Sequence, residues 1–247
     1  ASVPLVSGQR FQPCGHIILA TDRNTELLAK IISWCAGSTP FATDIDEFSA
    51  AGHQSRVDGD AIAYLCPDWM CSIWKMHVPG IAGKMKVMPL PAFEEGGRRT
   101  SVRGGTMLGI PKSTQEFDQA WETAVQLYTS PEIARELYRM VDIISPIRSL
   151  WNDPVYTEPD PFFMNQQKGL MFIDLAPEIP ERSSSPYNYN AVLEIRDSAT
   201  TLLRWTESQE QWDQQQLQIQ TRSELERAQL AIQRQMSRNA FTGVEAE

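Results

Sequence analysis

The carboxylates Asp58 and Asp60, and the neighbours Glu94 and Glu95, are the groups whose spacing offers acid–base chemistry, which needs a proton donor and an acceptor facing one bond. Both pairs stand beside glycines, in Asp58-Gly59-Asp60 and Glu94-Glu95-Gly96-Gly97, where solvated turn residues are the ordinary occupants. The four cysteines, Cys14, Cys35, Cys66 and Cys71, lack the paired spacing of a zinc ribbon, and the three histidines complete no zinc-ligand pattern with them. They read as buried or half-buried thiols, with a Cys66–Cys71 disulfide as the alternative. No nucleophile elbow, P-loop, HExxH pair or GxGxxG after a strand occurs. The expectation is a protein without catalysis, metal or cofactor.

Aromatic residues offer a different chemistry. Trp69, Trp74, Trp151, Tyr187 and Tyr189 fall at expected strand ends and loops. A flat ring gives the C–H face of a sugar a large apolar contact, while nearby amides, carboxylates and guanidinium groups satisfy its hydroxyls. Each ring taken singly is more often a core residue. Gly104-Gly105-Thr106 adds backbone that a ligand can approach closely, with N–H groups left to donate; a tight turn before a strand is its plainer reading.

The elements that must position these groups read as alternating strands and helices. His16–Ala20 is a short apolar strand; a helix capped by Asn24 follows, carrying Leu27, Leu28, Ile31, Ile32 and Cys35 until Gly37. A shorter helix runs from Asp44 to Gly52. Strands are expected at Ala61–Cys66, ending in Pro67-Asp68-Trp69, at Lys84–Met88 before Pro89-Leu90-Pro91, and at Gly104–Ile110. Phe117–Tyr128 and Ser130–Met140 carry helical apolar stripes, the latter opened by Ser130-Pro131-Glu132. A further helix lies within Phe162–Leu175, and Asn190–Ser237 reads as helix, glutamine-rich beyond Gln209 with Leu217, Leu225, Ala228, Ile232 and Met236 as a thin apolar stripe; a solvated surface helix is the expectation, with a coiled coil or a packing arm as alternatives. The 247 residues suffice for one large or two small domains, and the net charge of −9, with only Arg98, Arg99 and Arg103 clustered, argues against a phosphate-backbone partner.

These segments in this order resemble the extracellular solute-binding family 1. The matching pieces are Asp58–Ala63 followed by Pro67-Asp68-Trp69, Gly83–Pro91, Gly104-Gly105-Thr106 to Ile110-Pro111-Lys112, Ala120-Trp121-Glu122, Asp142–Ile147 and Ser185-Pro186-Tyr187, within about residues 34–205. Ala61-Ile62-Ala63 replaces the family's Ala-Ala-Met, and the glycine expected near Asp142 is missing. The resemblance implies an α/β, type II periplasmic-binding-protein-like lobe with a helical C-terminal region and most of the N-terminal lobe absent. Its parts would be 1–88 as the α/β portion, 89–114 as crossing segment and strand, 115–203 as helical portion and 204–247 as polar helical tail.

Carried over by position, the resemblance makes Trp69 the stacking platform and Gly104 and Gly105 the close-approach backbone. Arg103 and Thr106 become polar contacts, Asp68 a hydroxyl acceptor and Tyr187 a second aromatic wall. It implies capture of a carbohydrate for an ABC permease at the membrane, in a periplasmic or extracellular setting. Membrane attachment would run through an N-terminus not included here, since a chain opening on Ala1 reads as a processed product or an excerpt. A rival expectation is an interaction protein on the same scaffold whose acidic helical tail binds a protein; a glycoside-acting enzyme using the loop carboxylates ranks last.

Overall fold

Thr21 stands in extended backbone and its side chain accepts the Asn24 N–H, opening α1 at Asp22–Cys35. Asn24, expected as the cap, lies inside the helix and donates its amide to the Ile18 and Leu19 carbonyls. The structure, a computed structural model, describes residues 17–43, 45–105, 107–180 and 185–239. They fall into two compact units, one built from the chain up to Asp46 and from Glu181 onward, the other from Glu47–Pro180.

The first unit packs α1 with α7 (Asn188–Ser208) and α8 (Gln214–Ser237). Leu28, Ala29 and Ile32 of α1 meet Ala191, Ile195 and Leu202 of α7, and Leu217, Leu225, Ala228 and Ile232 of α8. The solvated reading of the glutamine-rich tail is therefore corrected. Leu217, Thr221, Leu225, Ala228 and Ile232 recur at three- and four-residue intervals and are fully buried, so a narrow apolar stripe suffices to seat a polar helix. The expected single helix is two, because Asp213 accepts the Gln216 N–H while the Gln216 side chain accepts the Asp213 N–H, a capping box that starts α8 afresh. The apolar segment read as a first strand is irregular at Leu19 and bent at Ala20, and both N–H groups donate to the side chain of Gln229 on α8.

In the second unit, α2 spans Ala50–Asp58, later than the expected Asp44–Gly52. Gly59 closes it with a positive φ of 76°, its N–H donating to the Ser55 carbonyl, so Asp58-Gly59-Asp60 ends a helix rather than leading into a strand. Pro67 precedes α3 (Asp68–His77), an element absent from the expectation. Its Met70, Cys71 and Trp74 pack with Val78, Ile81, Val87, Phe162 and Phe163. Next come α4 (Phe117–Thr129), α5 (Pro131–Val141) and α6 (Lys168–Leu175).

Among the described residues no ladder longer than an isolated bridge, Asp160 with Gln166, is formed. The segments read as strands at 61–66, 84–88 and 104–110 are irregular where described. Val87 nevertheless finds a strand-like partner: its carbonyl accepts from the Gln166 side-chain amide at 2.8 Å and its N–H donates to the same amide at 2.9 Å. The missing glycine near Asp142 is also explained, because Asp142 itself takes the left-handed conformation, φ 58°, that ends α5; an aspartate tolerates it better than most residues.

Gly169 on α6 is held by space. A β-carbon there would stand 2.5 Å from the Tyr138 hydroxyl and 2.7 Å from the Tyr156 carbonyl, one of them fixed backbone. Gly169→Ala should therefore cost about 1–3 kcal/mol through overpacking. A urea unfolding curve with an unchanged midpoint would contradict this.

Candidate functional site

Asp68 and Trp69 are the first two residues of α3, so the helix start positions both. The Trp69 indole N–H donates to the Arg103 carbonyl at 3.1 Å, tying the helix to the loop that carries Arg103, Gly104 and Gly105. Gly104 and Gly105 have φ of 107° and 132°, a region that side chains rarely enter, and a β-carbon on Gly104 would lie 3.6 Å from the indole nitrogen. The ring thus stands beside the exposed backbone of Gly104. The Arg103 guanidinium lies 5.9 Å from the ring centroid, within cation–π range.

Asp68 faces inward. Its Oδ2 accepts the Ile144 N–H at 3.3 Å, and burial pushes its carboxyl above the ordinary carboxylate range, against the pull of backbone hydrogen bonds and the Lys168 charge. A carboxyl whose folded pKa is raised stabilises the fold fully below its unfolded pKa, and that contribution is lost as pH rises through the folded value. Asp68→Asn keeps an acceptor for Ile144 without the charge. The variant should gain stability relative to the parent as pH rises from about 3 to about 8, across the ordinary carboxylate pKa; urea midpoints measured across that span test the sign.

The structure brings Trp69, Arg103 and Gly104 into contact in the second unit, with Gly105 next in the chain, while the Asp68 side chain turns away to the Ile144 N–H. Tyr187 belongs to the first unit, where its ring packs on the core and its hydroxyl accepts from the Asn239 amide at 2.8 Å. Thr106 lies outside the described residues. Of the other aromatics, Trp74 is a core residue at 2% exposure, and Trp151 is half-buried with its N–H donating to the Ser145 carbonyl at 2.7 Å. Two shallow concavities of the first unit, lined by residues such as Asp22 and Arg222 or Thr206 and Trp212, contain none of these contacts.

Two neighbours of Trp69 were missed in the sequence. Phe48 lies parallel to the indole, with centroids 6.2 Å apart and planes 7° apart. Glu47 forms an ion pair with Arg103. No local signal links either residue to the site, because the Glu47–Arg103 pair spans 56 positions of chain.

The chain is 26% identical to the arabinooligosaccharide-binding protein of Halalkalibacterium halodurans over 188 residues, which cover 72% of this chain and 41% of the relative. It is 26% identical to the arabinooligosaccharide-binding protein of Bacillus subtilis over 180 residues, covering 68% of this chain and 40% of that protein. The chain thus spans about four-tenths of the length of these relatives. Both are named as binding proteins and not as enzymes. No protein-family model matches the chain, and no solved structure matches it.

Proposed function

We propose that this chain contributes the Trp69 side of a carbohydrate site and acts by binding, without catalysis, with oligosaccharides of arabinose as the first class to test. The observation that carries the reading is the Trp69 indole, fixed by its bond to the Arg103 carbonyl and flanked by the open backbone of Gly104 and Gly105, in a chain similar to two proteins named for binding arabinooligosaccharides. A pentose or hexose ring stacks its C–H face on the indole, its hydroxyls accept from the Arg103 guanidinium and the glycine N–H groups, and Phe48 gives up its place or shares the contact.

On the same reading, the second unit is a lobe of the type II periplasmic-binding-protein class, operating outside the cytoplasm and passing its ligand to an ABC permease. Ligand would shift an open population towards a closed one by differential affinity, with no covalent step. The rival reading, a protein partner held by the C-terminal helix, loses support because the apolar stripe of α8 is already buried against α1 and α7. Titration with arabinotriose and longer arabinooligosaccharides, followed by tryptophan fluorescence, is expected to give a saturable change. No response to arabino-, xylo- or malto-oligosaccharides would overturn the proposal, and reducing sugar released during incubation would revive the enzyme.

A further inference from the structure

The connection that presents Asp68 and Trp69 is flanked by two thiols. Cys66 lies two residues before α3, Cys71 lies in the first turns of that helix, and their sulfurs are 3.6 Å apart. Cys71 is fully buried in the core with Met70 and Trp74, whereas Cys66 is half-buried and also lies 3.5 Å from the Pro67 carbonyl. A disulfide needs the sulfurs at about 2.05 Å, so a small change of rotamer brings the pair into bonding range. We propose that Cys66 and Cys71 form an oxidisable dithiol, closed to a disulfide by a small-molecule disulfide such as oxidised glutathione.

The two thiols take different parts in this exchange. The Cys66 thiolate is the one a solute reaches; it attacks one sulfur of the oxidant, the oxidant's S–S bond breaks, and one glutathione leaves as a thiol carrying the proton Cys66 gave up. Cys71 then gives up its proton and attacks the Cys66 sulfur, the mixed disulfide breaks, and the second glutathione leaves as a thiol. Two cysteine thiols are oxidised by two electrons, one glutathione disulfide is reduced to two thiols, and no proton is gained or lost overall. The hydrogen bond with Cys66 and the burial of Cys71 push the Cys71 thiol above the ordinary thiol range. The product links the residue before Pro67 to the body of α3 and encloses Asp68 and Trp69 in a short covalent ring. The sulfur geometry supports this inference independently of the carbohydrate reading.

The test uses the whole chain, treated natively with oxidised glutathione, quenched by alkylation and digested with trypsin. No lysine or arginine lies between Val57 and Ile73, so both cysteines fall on the single peptide 57–75, apart from Cys14 and Cys35. The expected result is loss of both alkylation sites on that peptide and a mass lower by two hydrogens than the unalkylated dithiol. Cys71→Ser should instead trap one glutathione on residue 66, and Cys66→Ser should leave Cys71 unmodified. A glutathione that stays on Cys66 of the parent chain, a cross-link to Cys14 or Cys35, or full alkylation of both thiols after prolonged exposure would each overturn the proposal. Because the readout is mass and not sugar binding, a failed sugar titration leaves this result standing.

Discussion

Replacing Trp69 with alanine is expected to abolish the fluorescence response to arabinooligosaccharides and to weaken binding by roughly tenfold to a hundredfold. A buried aromatic contact contributes about 0.5–1.5 kcal/mol beyond the area it covers, and each 1.4 kcal/mol is a factor of about ten. Alanine also removes the indole N–H that holds the Arg103 carbonyl, so the glycine loop loses its anchor to α3 along with the stacking surface. Trp69→Phe separates the two effects. It keeps a smaller flat ring and loses only the donated hydrogen bond, so it should retain a measurable affinity between those of the parent and the alanine variant. Far-ultraviolet circular dichroism that stays unchanged in both variants ties the loss to the site. Titration calorimetry showing parent-like affinity in Trp69→Ala would remove Trp69 from the site.

Lys168→Met is expected to be the most destabilising single change in the second unit, by about 3–5 kcal/mol, the cost of breaking a buried ion pair and leaving its charge uncompensated. Lys168 is 1% exposed, with its ammonium 2.5 Å from Asp142 Oδ1 and 3.2 Å from Asp160 Oδ2. Lys75 reaches the same two carboxylates, at 2.9 and 2.6 Å, from a side chain partly open to water. Burial alone would lower the Lys168 pKa, but the hydrogen bond and charge of Asp142 raise it above the ordinary lysine range. Burial would likewise raise Asp160, yet Lys75 and Lys168 hold it below the ordinary carboxylate range. Without Lys168, two buried carboxylates share one partly exposed ammonium, and Asp142 Oδ2 already accepts no hydrogen bond from the protein.

The consequence for pH follows from the sign of the Asp160 shift. A carboxyl with a depressed folded pKa stabilises the fold above its unfolded pKa, and that stability is lost as pH falls through the folded value. The Asp160 contribution should therefore weaken on acidification below the ordinary carboxylate range in the parent and less so in Lys168→Met. Asp142→Asn should recover part of the loss, because asparagine removes the excess charge and still accepts the left-handed backbone that Asp142 adopts. Urea unfolding of the single and double variants measures the coupling directly. Equal stability of parent and Lys168→Met at neutral pH would show that the ion cluster contributes nothing to the fold.

Several local signals were legible without coordinates. The helices at Asp22–Cys35, Phe117–Thr129 and Pro131–Val141 follow from apolar spacing, and Ser130-Pro131 marks the start of the last of these. Their bounds shifted by a few residues, because neighbouring polar side chains compete for the cap, as Thr21 and Asn24 do. The break before α8 was also readable, in Asp213-x-x-Gln216, but was hidden by uniformly helical composition on both sides.

Other features depend on partners far away in the chain. An apolar run can satisfy its backbone with a strand or with side-chain amides, and Gln166 and Gln229 supply the second solution for Val87 and Leu19. The same long-range contacts set the state of the carboxylates. Nothing near Asp142, Asp160 or Lys168 announces a buried ion cluster, since the charges pair over separations that residue types do not reveal.

By itself, the sequence determined what a side chain and its near neighbours control, the helical stripes and the Ser130 cap, whereas the candidate residues Asp68, Trp69, Arg103, Gly104, Gly105, Thr106 and Tyr187 rested on the family resemblance. Only the tertiary structure decided that Trp69 begins a helix instead of ending a strand, that Asp68 turns to a backbone N–H, and that Phe48 and Glu47 attend the indole and its arginine. The reason is physical: propensity and capping act within a turn or two of chain, whereas burial, charge pairing and ring contact depend on which distant residues packing brings together.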